Sequence, residues 1–188
     1  MVSSTLSTAQ SHVPQKGIVS SNKYHLVELP IGWAGMVGSE RGLRRLSLKP
    51  TPQEVMEGLG SEVDGSEDDP KPFSQIEDCL RRYAAGDIFA LNQIQLDLSS
   101  APPFFKAAWT ACRRIPPGET RSYAWLASEA GNPLAVRAAG QSMARNRFAL
   151  IVPCHRVIAS DGGLGGYGGG GLRVKAQLLR MELELASL

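Results

Sequence analysis

Cysteine is scarce and odd in number: Cys79, Cys112 and Cys154 are the only three in 188 residues, and no two lie close together. That excludes a disulfide framework and a four-ligand zinc site, and it leaves the thiols reduced. Long apolar runs are missing too, the longest falling far short of the ~18 residues that a membrane span needs. The sequence does not open with a charged start, an apolar centre and a small-residue cleavage site. Neither a span nor a secretory signal is therefore expected, and the protein is placed in the cytoplasm, or in the nucleus if the source is eukaryotic. Net charge is only +2, but its distribution is uneven. Residues 1–100 hold nine Lys/Arg against thirteen Asp/Glu, whereas residues 101–188 hold eleven against five. A basic second half suits a polyanionic partner, although a solvated basic surface produces the same excess. At 43% hydrophobic and 20% charged, the chain has the apolar material for a globular core.

What is present is concentrated in Ile-Val-Pro-Cys-His-Arg-Val-Ile at 151–158. The thiolate is the nucleophilic form of cysteine, and an ordinary thiol with a pKa near ~8.5 needs a cation, a base or a helix N-terminus beside it to ionise at neutral pH. His155 and Arg156 can supply that environment. Neighbours in an extended strand point to opposite faces, so Cys154 and His155 cooperate directly only if the chain turns at Pro153 to Cys154. The plainer alternative is a buried cysteine beside a surface histidine. Residues 162–171 contain eight glycines, with Leu164 and Tyr167 among them. No helix or central strand tolerates that composition, so the segment is a loop, either a linker or a backbone that comes close to a ligand.

Taken in order, residues 1–22 lack periodicity and read as a flexible arm. Short β-prone runs at 24–30, 33–37 and 43–48 make a small antiparallel meander. A short helix at 52–59 and a solvated acidic loop over 60–71 follow. Ser74 with Glu77 makes a capping box for a helix carrying Ile76, Leu80 and Tyr83, with Cys79 inert inside it. The alternation Ile94, Leu96, Leu98 predicts a strand closing the sheet. Ala101-Pro102-Pro103 divides an N-terminal sheet-containing domain, 23–100, from a mainly helical C-terminal domain, 101–188. The fold class is therefore α/β in the α+β sense.

In the second half, Phe105, Ala108, Trp109 and Cys112 form a buried helical stripe. Ser122 caps a helix with Tyr123, Leu126 and Ala127, and Gly131 ends it. Asn132 as N-cap with Pro133 at the first helical position predicts the next helix. Val136, Ala139, Gly140 and Met143 are its expected packed face, and Arg137, Gln141 and Arg145 form a separate polar stripe. Two short helices, the second showing arginines among small residues, fit a helix-turn-helix on DNA, although helical hairpins without nucleic acid are common.

On three motifs the chain resembles the O6-alkylguanine-DNA alkyltransferases. These are Ile115 to Tyr123, Gly131-Asn132-Pro133 through Arg137-Ala138-Ala139-Gly140 to Asn146, and Pro153 to Ile158 together with Gly166-Tyr167-Gly168. The resemblance implies a Cys-bearing active-site strand and single-turnover transfer of an alkyl group, most simply methyl, from O6 of guanine in double-stranded DNA to Cys154. Whether O4 of alkylated thymine is also a substrate stays open. It implies that His155 is the base acting through a water, that Glu182 orients it, and that Asn146 braces the turn before the cysteine. Tyr123, Met143, Val157, Tyr167 and Gly168 become pocket walls, with Tyr123 also working at the flipped nucleotide. Arg137 fills the vacated stack, Ala135, Ala138 and Gly140 sit in the minor groove, and Gln141 and Arg145 join the DNA-facing stripe. Glu182 shares a helical face with Lys175, Leu178 and Leu179, which carries a carboxylate inward and demands a partner for it.

Three departures from the family pattern stand out: Arg147 where proline is usual, a second proline at 116–117, and one extra glycine before Leu172. No cofactor is implied. Metal is not expected either, since His12 and His25 lack nearby cysteines, and a monomer is expected. The competing readings are a non-catalytic sensor of alkylated DNA, a Cys-His-Glu thiol hydrolase and a transcription regulator. The first loses ground because that relative lacks the cysteine that is present here.

Overall fold

The computed structural model describes residues 23–187; the arm read at 1–22, with His12, lies outside them. Alternating side chains make the three β-prone runs into β1 (Lys23–Leu29), β2 (Gly32–Ser39) and β3 (Gly42–Lys49), paired antiparallel with Val27 opposite Ala34 and Met36 opposite Leu46. Because successive residues face opposite ways, Val27, Leu29, Ala34, Met36, Leu46 and Leu48 share the face turned to the main core. Val37 points to the other face, where it meets Val55 and Leu59 of α1 (Pro52–Leu59). Thr51 caps α1 by accepting from the Glu54 amide.

Two sequence expectations about the sheet need correction. The acidic stretch at 60–71 is not simply a loop. It contains a 3-10 turn at Gly60–Val63 and β4 (Glu67–Asp68), which adds parallel to β1, so that the order is β3-β2-β1-β4. The Lys23 ammonium, 2.6 Å from Glu67, offsets the acidic charge there. Conversely, 94–98 is not a full strand. It makes one parallel bridge, Leu43 to Leu96, before the Asp97 carboxylate accepts from the Ser39 and Ser99 hydroxyls and the Ser99 amide and turns the chain away.

Helix starts also differ from the sequence signals. The capping box at Ser74 is not made: α2 (Ser74–Ala84) continues from a 3-10 turn at Lys71–Phe73, and Glu77 instead pairs with Arg81 and His25. The second half opens with α3 (Pro103–Cys112), which buries Ala108, Trp109 and Cys112 as expected. Ser122 accepts from the Trp125 amide and caps α4 (Tyr123–Glu129). The next helix, α5 (Val136–Ala144), begins three residues later than Asn132-Pro133 predicted, because Asn132 closes a turn on Leu134 and Ala135 instead. That shift turns the helix. Its buried face is Ala139, Ser142 and Met143, whereas Val136 is exposed.

The hydrophobic core is continuous between the halves. Trp109 donates from Nε1 to the Ser142 carbonyl at 2.9 Å and meets Phe148 edge-on at 5.5 Å. The edge of β3 reaches the segment that leads to Cys154, with the Leu46 amide donating to the Arg147 carbonyl and the Ala149 amide to that of Leu46. Arg147, the departure from the usual proline, lays its guanidinium over the Trp109 and Phe148 rings. After β5 (Arg121–Ser122) pairs with β6 (Val157–Ile158), the glycine loop leads into α6 (Gly171–Ala186). Gly170, at φ 108°, is the N-cap of α6 and Gly171, at φ 80°, its first residue, so the start of this helix uses backbone conformations that favour glycine.

Candidate active site and nucleic-acid interface

Cys154 lies on a 3-10 turn, Cys154–Arg156, immediately before β6 and not on the strand itself. The chain therefore turns where the adjacent cysteine and histidine need it to. Asn146 builds the approach. Its Oδ1 accepts from the Phe148 amide at 2.9 Å, and its Nδ2 donates to the Val152 carbonyl at 2.8 Å and to Cys154 Sγ at 3.2 Å. Between these anchors Leu150 is held buried at φ 66°, a left-handed conformation that a residue with a Cβ rarely adopts.

Behind the cysteine is a closed polar cluster. His155 and Glu182 are fully buried, and His155 Nε2 is 3.0 Å from Glu182 Oε1. An ionised carboxylate can only accept, so Nε2 carries the hydrogen, and in the neutral ring Nδ1 keeps its lone pair. Nδ1 is buried without a hydrogen-bond partner among the described residues. Arg156 donates to Glu182 through Nε and Nη2, both at 2.8 Å, and through Nη1 to the Ile115 carbonyl. Tyr83, from α2, donates to Glu182 Oε1 at 2.6 Å. Burial would by itself push the Glu182 carboxyl up, but hydrogen bonds from His155 and Arg156 and the Arg156 charge hold it well below the usual carboxylate range. Burial pushes His155 down, against the pull of Glu182, and so favours the neutral ring.

Burial pushes the Cys154 thiol up, opposed by the Asn146 hydrogen bond and by the charge of Lys175. Lys175 is itself buried and donates to the Val157 and Leu164 carbonyls. The thiol therefore needs a base when it reacts.

A cavity of about 180 Å³ opens on Cys154, lined by Tyr123, Gly140, Met143, Ala144, Gly166, Tyr167 and Gly168. Four of the five predicted wall residues meet there; Val157 does not line it, being wholly buried in β6. The Tyr167 ring stands edge-on to His155 at 6.3 Å, and a Cβ placed on Gly169 would lie 2.8 Å from that ring, so glycine is needed behind it. A larger hollow, lined by α2 and Gln93–Gln95 side chains, is remote from this chemistry. Arg137, Gln141 and Arg145 are exposed along α5, and Ala135, Ala138 and Gly140 are partly covered beside them. The cavity shares Gly140 and Met143 with α5, so a ligand along that helix lies next to the cysteine. Lys175 and Tyr83 are residues that sequence reasoning left without site roles, and Arg156, expected as a cation beside the thiol, donates to Glu182. For Lys175 a signal existed, since a lysine on an apolar helix face needs a partner as much as Glu182 does.

Comparison with known proteins points one way. Residues 103–184 match the family model described as 6-O-methylguanine DNA methyltransferase, DNA binding domain. A constitutive methylated-DNA–protein-cysteine methyltransferase of Bacillus subtilis is 37% identical over 163 residues, covering 86% of this chain and 95% of that protein. One from Mus musculus is 36% identical, covering 85% and 81%. The crystal structure of Mycobacterium tuberculosis OGT in complex with DNA superposes with a TM-score of 0.73 at 36% identity, covering 87% of this chain and 94% of that one. At these lengths the likeness extends well into the N-terminal half.

Proposed function

The chain belongs to the methylated-DNA–protein-cysteine methyltransferases, and from that premise we propose that Cys154 is its alkyl acceptor and O6-alkylguanine in duplex DNA its substrate. The protein is a DNA-repair enzyme that moves an alkyl group from DNA to a cysteine. The observation carrying the assignment to Cys154 is its position at the cavity floor, with Asn146 on the sulfur and a buried histidine-carboxylate pair beside it.

His155 Nδ1, the free lone pair, takes the thiol proton through a water, as the family resemblance implies, and Glu182 holds the ring in the required tautomer. Asn146 Nδ2 donates to the sulfur as it becomes anionic. The thiolate attacks the alkyl carbon; the S–C bond forms as the C–O6 bond breaks, and the electron pair passes to guanine, which takes up one proton. Burial pushes the Tyr123 phenol up, so it stays protonated and can donate to the departing base. The thioether has no easily expelled group, so water does not regenerate the thiol.

Reaching O6 inside a duplex requires the nucleotide to be extruded, which costs a few kcal/mol. Arg137 fills the gap, and the small residues of α5 let the helix into the minor groove. The protein acts as a monomer. The test is stoichiometry: with excess DNA carrying labelled O6-methylguanine, transfer should plateau at one methyl per active molecule, and Cys154→Ala should bind DNA without accepting label. Continued turnover would refute the assignment.

A further inference from the structure

Tyr83 is fully buried on α2, in the N-terminal half, yet its hydroxyl reaches across to the Glu182 carboxylate at 2.6 Å. The oxygen it meets, Oε1, is the one that accepts from His155 Nε2 at 3.0 Å and from Arg156 Nη2 at 2.8 Å, while Oε2 accepts from Arg156 Nε at 2.8 Å. Four hydrogen bonds converge on this carboxylate, three of them on Oε1 and one on Oε2. A buried phenol needs a hydrogen-bond partner, and Glu182 is the one Tyr83 has.

We propose that Tyr83 is a positioning residue of the transfer reaction, through which the N-terminal half sets how strongly Glu182 pulls on His155. The argument rests on the relay reading above. A donor on Oε1 draws off negative charge that would otherwise strengthen the bond to Nε2–H, so Tyr83 makes His155 a weaker base than Glu182 alone would make it. The Arg156 cation acts in the same sense on both oxygens. Tyr83 is itself pushed up by burial and by Glu182, so it remains a donor wherever the protein is folded. The other charged or titratable groups facing this pair are Lys175 on α6, Tyr167 on the glycine loop and Cys154 on the same turn. None of these replaces the phenol on Oε1.

The test follows the His155 imidazole by NMR and the single-turnover transfer rate against pH in the full chain. Tyr83→Phe keeps the ring and deletes the donor. Its His155 resonance should titrate at higher pH than in the parent, with the acid limb of the transfer rate moving the same way. Site-specific 3-fluorotyrosine at position 83, a stronger donor of nearly the same shape, should move both to lower pH, and it carries the test alone if Tyr83→Phe does not fold. Glu182→Gln is measured alongside and should lower the His155 titration. A merely structural tyrosine would change thermal stability and leave these profiles in place. If both position-83 variants leave them unmoved while Glu182→Gln shifts them, the role of Tyr83 is refuted and the relay stands. If Glu182→Gln leaves them unmoved as well, the relay reading fails and the proposal with it.

Discussion

Asn146→Ala separates the two tasks of one amide. The substitution leaves the Phe148 amide without its side-chain acceptor, takes one of two donors from the Val152 carbonyl, which keeps the Cys154 amide at 2.7 Å, and removes the donor 3.2 Å from Cys154 Sγ. A buried group left unsatisfied costs about 1–3 kcal/mol, so about that much stability should go, a melting-temperature drop of about 2–12 °C at this chain length. Relaxation of the left-handed Leu150 once its turn is unpinned offsets part of that loss. The effect on chemistry is separable. A hydrogen bond to a charged group is worth about 1.5–3 kcal/mol, so losing the one that stabilises the thiolate should slow transfer about 10- to 100-fold near neutral pH, with recovery as pH is raised. The assay is single-turnover transfer against pH at a temperature where the variant is fully folded, with a thermal melt beside it. A large loss of stability at an unchanged rate would mean that Asn146 only shapes the turn. An unchanged melting temperature would show that the turn is held by other contacts.

Further outcomes follow from the same geometry. Glu182 is held below its ordinary 4.5 and His155 below its ordinary 6.5, so in both cases the unfolded chain binds protons more readily; their stabilisation is intact above pH 6.5 and declines first through His155 and then through Glu182 as pH falls, which acid titration of the melting temperature reads directly. Glu182→Gln removes one partner of a buried ion pair and should destabilise by about 3 kcal/mol or more, visible as a lower denaturant midpoint at constant slope. Gly169→Ala places a methyl 2.8 Å from the Tyr167 ring and should slow transfer with little change in melting, since the wall of the cavity moves and the core does not; an unaltered rate would remove Tyr167 from the wall. Arg137→Ala should slow transfer from duplex more than from the free alkylated base, whereas Arg145→Ala should weaken DNA binding and reduce its salt slope by about one. Equal losses on both substrates for Arg137→Ala would assign base replacement to another residue.

The meander, α1 and the buried stripes of α3 and α6 were legible because alternation and helical spacing report which face is covered. The strand expected at 94–98 stops at one bridge: the Asp97 amide still donates to the Leu43 carbonyl, but its buried carboxylate takes the Ser39 and Ser99 donors and turns the chain out of the ladder. The late start of α5 shows the same competition, in that Asn132 closes a local turn although Asn-Pro is also a helix-start signal. At the site, Cys154, His155 and Asn146 fall within ten residues, and one turn brings them together. Glu182 was legible as a carboxylate on an apolar face. Tyr83 was not, because a tyrosine on a helix stripe reads as core, and only the packing of α2 against the second half makes it a donor to the carboxylate. Arg156 was legible as a cation near the thiol, but its pairing with Glu182 needs α6 folded back onto the turn.

The central claim is that this chain carries its product on one sulfur. The most direct measurement is intact mass followed by peptide mapping after incubation with duplex DNA containing O6-methylguanine. The account predicts a gain of one methyl group, located on Cys154, with guanine restored in the DNA and no gain in Cys154→Ala. A methyl on Cys79 or Cys112, or repair of the DNA with the protein mass unchanged, would contradict it.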